Sequence, residues 1–183
     1  QIEGLPRKGR SMSNENPDLS LVIPLYNEEE NLRELKQWID TVLTGRTYEV
    51  IFVDDGSRDD SWGVIQELAD GDPDHTVGLR MARNYGKSAG LHVGFQAAKG
   101  KVVITMDADL EHPPSLLPKL IKKWTLGKKV VLAQRNTSNK SALKQIPSKL
   151  FTFCYNMLTS DKLHPGVADY RLLDKSVVSQ LNA

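Results

Sequence analysis

The chain has 183 residues, of which 39% are hydrophobic and 26% are charged, which is enough apolar material for one sizeable core and excludes an intrinsically disordered chain. The net charge of +1 provides no overall basic field of the kind that favours nucleic acid, so no nucleic-acid partner is expected. The single cysteine excludes a disulfide framework within the chain, as is typical of a reducing compartment.

Residues 1–17 are rich in Gly, Pro, Arg, Asn and Ser and show no periodicity, which predicts a flexible lead-in or an expression remnant before a single domain over 18–183. No apolar run approaches the roughly 18 residues that a membrane span needs. The N-terminus also lacks the apolar core of a signal peptide. The sequence therefore predicts a soluble chain without a span or a signal peptide.

Apolar strand patterns then alternate with amphipathic helix patterns along the chain. The predicted strands are 19–24, 48–53, 77–81, a strand beginning at 102, 130–133 and 168–173. The predicted helices run from an N-cap at Asn27 to Gly45, then over 61–69, 89–99, 115–126 and 146–160, with a last helix just begun at the end. This alternation predicts an α/β domain with three layers and a mostly parallel, Rossmann-like central sheet.

The predicted strand that begins at Val102 ends in alternating acids, Asp107, Asp109 and Glu111, before a double proline prevents further pairing. An Asp-x-Asp triplet is expected about once by chance in a chain of this composition. Asp70-Gly-Asp72 has the same spacing, but it lies in a Gly/Pro turn whose acids we expect to be solvated turn formers. Position after a buried strand therefore distinguishes the Asp107 triplet.

Polar clusters follow other predicted strands as well, at 24–28, at 54–57 and from Arg135 onward. The carboxyl ends of parallel strands meet at one edge of a sheet, so these clusters are expected to form one site with the Asp107 triplet. In such a site an aspartate after the second strand can hydrogen-bond a base or a ribose. Asp107 and Asp109 can hold Mg²⁺ or Mn²⁺ against a diphosphate.

Five segments in order carry a resemblance to a known family. They read LVIPLYNEEENL, VIFVDDGSRDDS, RNYGKSAGLHVGFQAAKG, MDADLEHPP and GVADYRLLDK. Together they resemble the inverting family 2 glycosyltransferases with the glycosyltransferase A fold. The resemblance is strongest to the polyprenyl-phosphate branch, which includes dolichol-phosphate and undecaprenyl-phosphate sugar transferases, and it covers nearly everything from Leu19 onward.

The resemblance implies a nucleoside site for the sugar donor. Pro24, Tyr26, Glu28 and Asp55 match positions that hold the nucleoside, and Asp54 is expected to support that pocket.

The resemblance also implies a diphosphate and metal site. Asp107 is expected beside the donor phosphates or sugar, and Asp109 and Glu111 match metal-ligand positions for Mg²⁺ or Mn²⁺. Arg135 matches a basic position that faces phosphates. The family often has Gln in place of Glu111, and the extra carboxylate would strengthen cation binding.

The acceptor side is implied by the last segment. Asp169 and Arg171 match positions near the acceptor and the leaving group, and Tyr170 replaces the commoner Phe. Lys144 and Ser148 are weaker candidates for contacts with the acceptor phosphate.

The implied reaction is a single displacement that moves a hexose from a GDP- or UDP-sugar to a polyprenyl phosphate with inversion. A phosphate monoester needs little help from a general base because its second pKa is about 6. A saccharide hydroxyl in polysaccharide or cell-envelope synthesis would need one, and Asp169 is the candidate. We expect this chain to be a truncated catalytic core with weak transfer activity. The whole protein is expected at the cytoplasmic face of a membrane, reached through parts outside this chain, and as a possible homo-oligomer.

Each expected role has a structural alternative. Asp54 and Asp55 could cap the following helix, Glu28 could be a first-turn charge, and Asp169 with Arg171 could form a structural ion pair. Two other classes of protein also remain at this stage. Nucleotidylyl transferases want a basic, Gly-rich loop where this chain has PLYNEEEN, and a non-enzymatic receiver-type domain leaves Asp109 and Arg171 without a role.

Overall fold

The computed structural model of the chain describes residues 2–5, 16–110, 114–134 and 167–181. The strands are β1 (Ile2–Gly4), β2 (Leu19–Leu25), β3 (Tyr48–Asp54), β4 (Thr76–Met81), β5 (Val102–Thr105), β6 (Val130–Gln134) and β7 (Val167–Asp174). The helices are α1 (Leu32–Val42), α2 (Ser61–Gly71), α3 (Lys87–Ala97), α4 (Leu117–Thr125) and α5 (Lys175–Leu181), with a short 3-10 turn at Pro114–Leu116.

The described strands form one seven-stranded sheet in the order β1-β4-β3-β2-β5-β7-β6. β4, β3, β2 and β5 are parallel neighbours, whereas β1 and β7 run antiparallel to the strands they pair with. The chain proceeds outward from β2 through β3 to β4 and then returns to place β5 on the other side of β2. This change of direction creates a crevice at the carboxyl ends of β2 and β5, where open α/β sheets bind ligands.

Helices cover both faces of the sheet, so the predicted three-layer α/β architecture is confirmed. Side chains of α1, α2 and α4 pack on one face, and α3 and α5 pack on the other. Along β2, Leu21 and Ile23 face the first layer and Val22 faces the second, and all three are fully buried. The near-continuous apolar runs of the central strands follow from burial on both faces.

The predicted close packing of α3 is confirmed. A Cβ built on Gly94 would lie 2.2 Å from Cγ1 of Val22, and one built on Gly90 would lie 3.1 Å from Cβ of Pro24. The helix can lie this close to β2 because these positions lack a side chain. It begins at Lys87, two residues before the predicted start at Ala89.

The predicted N-cap of α1 at Asn27 is wrong. The helix begins at Leu32 after Asn31, and Asn27 adopts a left-handed backbone conformation with φ of 57°. The loop ahead of α1 instead hydrogen-bonds to the loop after β3, and these tertiary contacts override the local helix signal. The acids at Glu28 and Glu29 therefore precede the helix and do not form its first turn.

One other local expectation differs from the structure. Residues 2–4, inside the expected lead-in, pair with β4 as an antiparallel edge strand. The predicted helix over 146–160 lies outside the described residues. Among the helices that the structure describes, none has the length and apolar character needed to cross a bilayer.

A charged cluster joins α1, α2 and the starts of β3 and β4. Lys36 is 4% exposed, and its Nζ donates to Oδ2 of Asp40 at 2.6 Å and to Oδ2 of Asp72 at 2.7 Å. Tyr48 donates to Oδ1 of Asp40 at 2.7 Å, and its ring stacks on His75 with centroids 4.6 Å apart. The expectation that the Asp72 turn is simply solvated is therefore wrong, because Asp72 neutralises a buried ammonium.

Candidate active site

A cavity of about 350 Å³ opens at the carboxyl ends of the central strands. Its walls come from four segments that are distant in sequence. They are Pro24, Leu25, Tyr26 and Glu28 at and just after the end of β2, Asp55 after β3, Asn84, Gly86 and Lys87 after β4, and Asp107, Ala108 and Asp109 after β5. The predicted convergence of strand-end clusters on one site is observed for these residues.

The loop after β2 supplies an aromatic ring and a carboxylate to the cavity. Tyr26 is 36% exposed, so its ring is available to a ligand. Glu28 is half-buried, and its Oε2 accepts a hydrogen bond from Nδ2 of Asn31 at 2.7 Å. Pro24 at the end of β2 brings the chain to this position. These three residues lie where the sequence places the nucleoside.

Reciprocal hydrogen bonds hold the loops after β2 and β3 together. The backbone N–H of Asn27 donates to Oγ of Ser57 at 2.9 Å, and the N–H of Arg58 donates to Oδ1 of Asn27 at 2.8 Å. The N–H of Glu28 also donates to Oγ of Ser61 at 2.9 Å. This clasp fixes the position of Glu28, which is required for a preorganised site.

The same clasp uses acids that the sequence alone does not distinguish from ligand contacts. Glu29 donates its backbone N–H to Oδ2 of Asp59 at 3.3 Å, and the carboxylate of Asp59 also accepts bonds from the hydroxyl and N–H of Ser61. Burial raises the pKa of Asp59, but its hydrogen bonds with Ser61 outweigh that effect and lower the pKa overall. Asp59 is therefore a structural carboxylate of the clasp.

Asp54 and Asp55 occupy different environments although they are adjacent. Asp54 is fully buried, its Oδ1 accepts from the N–H of Ser57 at 2.8 Å, and its Oδ2 lies 3.3 Å from Nε of Arg80. Asp54 does not line the cavity, which agrees with its expected supporting role. Asp55 does line it, although only 4% of the residue is exposed.

The carboxylate of Asp55 is bound to the loop after β4. Oδ1 accepts from the N–H of Tyr85 at 2.7 Å, and Oδ2 accepts from the N–H of Gly86 at 2.7 Å. These are charge-assisted bonds, roughly twice as strong as neutral ones. Asp55 thus joins the ends of β3 and β4 across the rear of the cavity.

The acidic motif after β5 also lines the cavity, through Asp107 and Asp109. The carboxylate of Asp107 is 21% exposed and forms an ion pair with Nζ of Lys87. Asp109 is exposed at the mouth of the cavity, and Leu110 after it has a left-handed φ of 56°. This left-handed position lies within the acidic motif, after β5 has ended at Thr105.

Lys87 is the site residue that the sequence alone misses. Lys87-Ser88 lacks the G-x-x-x-x-G that precedes the Lys of a phosphate-binding loop, so no motif of that kind marks it. A usable signal was present, because the segment from Asn84 to Lys87 directly follows a predicted strand, as the other site loops do. The loop after β4 also contacts the end of β3, where Asp55 accepts the backbone N–H groups of Tyr85 and Gly86.

The remaining predicted residues are described in part or not at all. Arg171 lies in β7 opposite Thr105 of β5 and is half-buried. Asp169 lies two residues nearer the start of β7, and because β7 runs antiparallel to β5, that start lies at the cavity edge of the sheet. The other predicted residues lie outside the described part of the chain: Glu111, Arg135, Lys144 and Ser148.

The described part of the site offers two carboxylates to a cation. Within the described residues, no group of three or more His, Cys, Asp and Glu side chains is placed to hold a metal ion. Asp107 and Asp109 both line the cavity, and carboxylate oxygens are the ligands that Mg²⁺ and Mn²⁺ prefer. A cation held there would need further oxygens from a ligand, from water or from Glu111.

A Rossmann-like sheet with carboxylates at the point where its strand order reverses is the arrangement of a nucleotide-binding α/β enzyme domain. Residues 20–181 match the family model described as Glycosyl transferase family 2, so the chain belongs to that family of glycosyltransferases. The resemblance found in the sequence is confirmed. The receiver-type and nucleotidylyl-transfer alternatives are set aside by this membership.

Similar curated proteins carry glycosyltransferase names. An uncharacterized glycosyltransferase of Synechocystis sp. is 36% identical over 167 residues, which cover 90% of this chain and 52% of that protein. The undecaprenyl-phosphate 4-deoxy-4-formamido-L-arabinose transferase of Pseudomonas fluorescens is 40% identical over 77% of this chain and 42% of its own length. The Klebsiella pneumoniae protein of the same name is 39% identical over 83% and 46%. The chain spans about half the length of these relatives.

Solved structures of glycosyltransferases share the fold. The mannosyltransferase PcManGT from Pyrobaculum calidifontis, in complex with GDP-Man and Mn²⁺, gives a TM-score of 0.62 at 20% identity and covers 93% of this chain and 48% of its own. Glucosyl-3-phosphoglycerate synthase from Mycobacterium tuberculosis, with Mn²⁺, UDP and phosphoglyceric acid, gives 0.62 at 19% identity over 87% and 56%. These likenesses confirm the predicted glycosyltransferase A type of α/β fold.

Proposed function

We propose that this chain is the donor-binding and catalytic domain of an inverting hexosyltransferase that moves a hexose from a nucleotide sugar to a polyprenyl phosphate. One observation carries the proposal. Asp107, Asp109 and Lys87 line the same cavity as Tyr26 and Glu28, at the reversal point of the sheet. A nucleotide sugar has an aromatic base and a charged diphosphate, which fits a cavity lined by both an aromatic ring and charged groups.

The donor class is supported by both the cavity and the structural neighbours. The ring of Tyr26 is partly exposed and can contact a base, and the carboxylate oxygens of Glu28 can accept hydrogen bonds from hydroxyl or amino groups of a nucleoside. The Pyrobaculum enzyme was crystallised with GDP-Man, and the mycobacterial enzyme with UDP. We therefore propose a GDP- or UDP-sugar donor.

A divalent cation fits the carboxylate side of the cavity. Asp107 and Asp109 would hold Mg²⁺ or Mn²⁺, with Glu111 as a further proposed ligand. When bound, such an ion supplies electrostatic stabilisation to the diphosphate as it departs. The Lys87 ammonium pairs with Asp107 and already provides one positive charge in this part of the cavity.

The proposed chemistry is a single displacement at the anomeric carbon. An oxygen of the acceptor phosphate forms a bond to that carbon while the bond to the diphosphate breaks, and the electron pair leaves with the nucleoside diphosphate. Lys87 and the proposed Arg135 would stabilise the charge that grows on the leaving group. The acceptor phosphate is largely ionised near neutral pH, since its second pKa is about 6, so no strong base is needed.

The acceptor class is supported by the relatives named as undecaprenyl-phosphate transferases. Asp169 and Arg171 on β7 are proposed to lie near the acceptor, with Lys144 and Ser148 as further candidates. A lipid acceptor would bring the whole protein to a membrane surface.

The test combines donor, acceptor and product stereochemistry. The protein is incubated with Mn²⁺, GDP- or UDP-hexose and a short polyprenyl phosphate, and the anomeric configuration of the product is read by NMR. We expect transfer with inversion, at a low rate in this chain. Net retention, or transfer of a nucleotidyl group in place of the sugar, would contradict the proposal.

A further inference from the structure

We infer that Asn31 is a positioning residue for the nucleoside part of the site, because it holds the carboxylate of Glu28 in place. The inference rests on the proposed function of the cavity. Nδ2 of Asn31 donates to Oε2 of Glu28 at 2.7 Å, and no other side chain among the described residues hydrogen-bonds this carboxylate. Asn31 does not line the cavity itself, so it would act on a ligand only through Glu28.

Asn31 and Glu28 are the two ends of a tight turn before α1. The backbone N–H of Asn31 donates to the carbonyl oxygen of Glu28 at 3.0 Å, so the side-chain bond is a second contact between the same two residues. The backbone N–H of Glu28 donates to Oγ of Ser61, the first residue of α2, at 2.9 Å. The main chain of Glu28 is thus held from α2, and its carboxylate is held from the start of α1.

The side chain of Asn31 is not used for the role that its position predicts. Asn31 is the N-cap of α1, where an asparagine oxygen commonly accepts a hydrogen bond from one of the first helical N–H groups. Here Asn31 has helical dihedral angles, φ of −93° and ψ of −25°, and its side chain forms no cap hydrogen bond. Its amide nitrogen donates to Glu28 instead, so the contact with Glu28 and the start of the helix can be changed separately.

Glu28 lines two cavities, and the bond from Asn31 restricts its carboxylate between them. Besides the candidate active-site cavity, Glu28 lines a smaller cavity of about 230 Å³ together with Asn31 and the acids Glu29, Glu30 and Asp59. The bond occupies Oε2 and leaves Oε1 to accept from a hydroxyl or amino group of a nucleoside. A carboxylate that is ordered before binding loses less conformational entropy when the ligand arrives.

The test compares Asn31→Asp with the wild type by calorimetric titration of GDP and of UDP with Mn²⁺. Aspartate is as good an N-cap as asparagine and is favourable at a helix N-terminus, but it cannot donate to Glu28. We expect the nucleotide that the wild type binds to bind about fivefold more weakly, the cost of ordering one side chain at an interface. The unfolding temperature should change by less than about 3 °C, because the helix start is kept.

A double-mutant cycle with Glu28→Ala distinguishes positioning from a structural role. Without the Glu28 carboxylate, Asn31→Asp should change the nucleotide affinity by less than about twofold. Gln37→Glu is the matched control, because it turns an exposed amide of α1 into an acid away from the cavity, and it should bind as the wild type does. An equal loss with and without the carboxylate would overturn the inference.

Asn31→Ala removes the donor without adding a charge, and it keeps the test decisive if Asn31→Asp fails to fold. It should show the same loss of affinity and the same dependence on Glu28. Unchanged affinity in the Asn31 variants that fold would overturn the inference.

NMR of the Asn31 side-chain amide in the ligand-free protein separates this inference from the proposed function. Glu28→Ala should speed exchange of this amide with water, because the amide loses its acceptor, and unchanged exchange would overturn the inference. If the wild-type protein binds neither nucleotide while the amide responds as expected, the proposed function fails and the ordering of Glu28 by Asn31 stands.

Discussion

At the carboxyl edge of the sheet, Asp107 and Asp109 line a cavity, and the ammonium of Lys87 pairs with Asp107. At the amino edge, the ammonium of Lys36 is enclosed by carboxylates from two segments. The acids at the first edge therefore line a space that a ligand can enter, whereas those at the second surround a buried charge of the protein itself. The comparison separates charged residues that serve binding from charged residues that serve the fold.

A second buried group at the amino edge follows the same rule. Glu49 is 2% exposed, and its Oε1 accepts from Oγ of Ser20 at 2.6 Å and from the N–H of Lys99 at 2.7 Å. Oγ of Ser20 in turn accepts from the N–H of Gly100 at 2.8 Å. This set joins β2, β3 and the turn into β5, and its hydrogen bonds run between segments of the protein itself.

The largest effect is expected at the carboxyl edge. Asp107→Asn removes the partner of Lys87 and a proposed metal ligand, so the rate of sugar transfer should fall about 100-fold or more, with the unfolding temperature nearly unchanged. Asp74→Asn is the matched control, because Asp74 is an exposed acid of Asp72-Pro-Asp74, which has the same spacing. The comparison would break if both variants lost activity equally, or if neither did.

At the amino edge the expected effect is on stability. Lys36→Met leaves Asp40 and Asp72 without their shared cation, and the free energy of unfolding should fall by about 3 kcal/mol, toward the low end for a broken buried pair because both acids are partly exposed. Urea denaturation measures this. Lys122→Met on the exposed face of α4 is the control and should change the free energy by less than about 0.5 kcal/mol. If folded Lys36→Met bound nucleotide tenfold more weakly than the wild type, the separation between residues that serve binding and residues that serve the fold would be contradicted.

Packing between the two edges gives an intermediate effect. Gly94→Ala places a methyl group 2.2 Å from Cγ1 of Val22, so it should destabilise the protein by about 1–3 kcal/mol through overpacking. Gly71→Ala, at the end of α2, meets nothing within 4 Å and should be neutral or slightly stabilising. Thermal unfolding of the pair checks this, and equal shifts would show that α3 tolerates movement away from β2.

The smallest effect is a dependence of stability on pH. Hydrogen bonds from Ser176 and from Trp124 lower the pKa of Asp174 to about 2. A carboxyl whose pKa is depressed by folding contributes stability that is fully present above its unfolded value near 3.9 and is lost as the pH falls toward 2. The unfolding temperature of Asp174→Asn should therefore fall less than that of the wild type between pH 4 and pH 2. A parallel decline in both proteins would contradict this.

The strands, and the edge of the sheet at which the site lies, could be predicted because their signals are local. Residues buried on both faces of a sheet give continuous apolar runs, and polar residues at the ends of those runs mark the ligand edge. Pro24, Tyr26, Glu28, Asp107 and Asp109 were placed in this way, and the structure brings them together.

The errors share one physical cause, which is contact between segments far apart in sequence. Asn27 reads as a helix cap, but its side chain accepts from Arg58 in another loop. Asp72 reads as a solvated turn residue, but Lys36 reaches it from α1. Lys87 has no motif that marks it, but its ammonium pairs with Asp107, 20 residues further along the chain. No local pattern contains such partners.

The account depends most directly on metal-dependent binding of a nucleoside diphosphate at the carboxyl edge. Calorimetric titration of the wild-type chain with GDP and with UDP, each with and without Mn²⁺, tests this in one experiment, with Asp107→Asn and Lys36→Met in parallel. The account predicts that at least one nucleotide binds with Mn²⁺, and at least tenfold more weakly without it or in Asp107→Asn, while Lys36→Met binds as the wild type does. Binding that ignores both Mn²⁺ and Asp107, or no binding of either nucleotide, would contradict it.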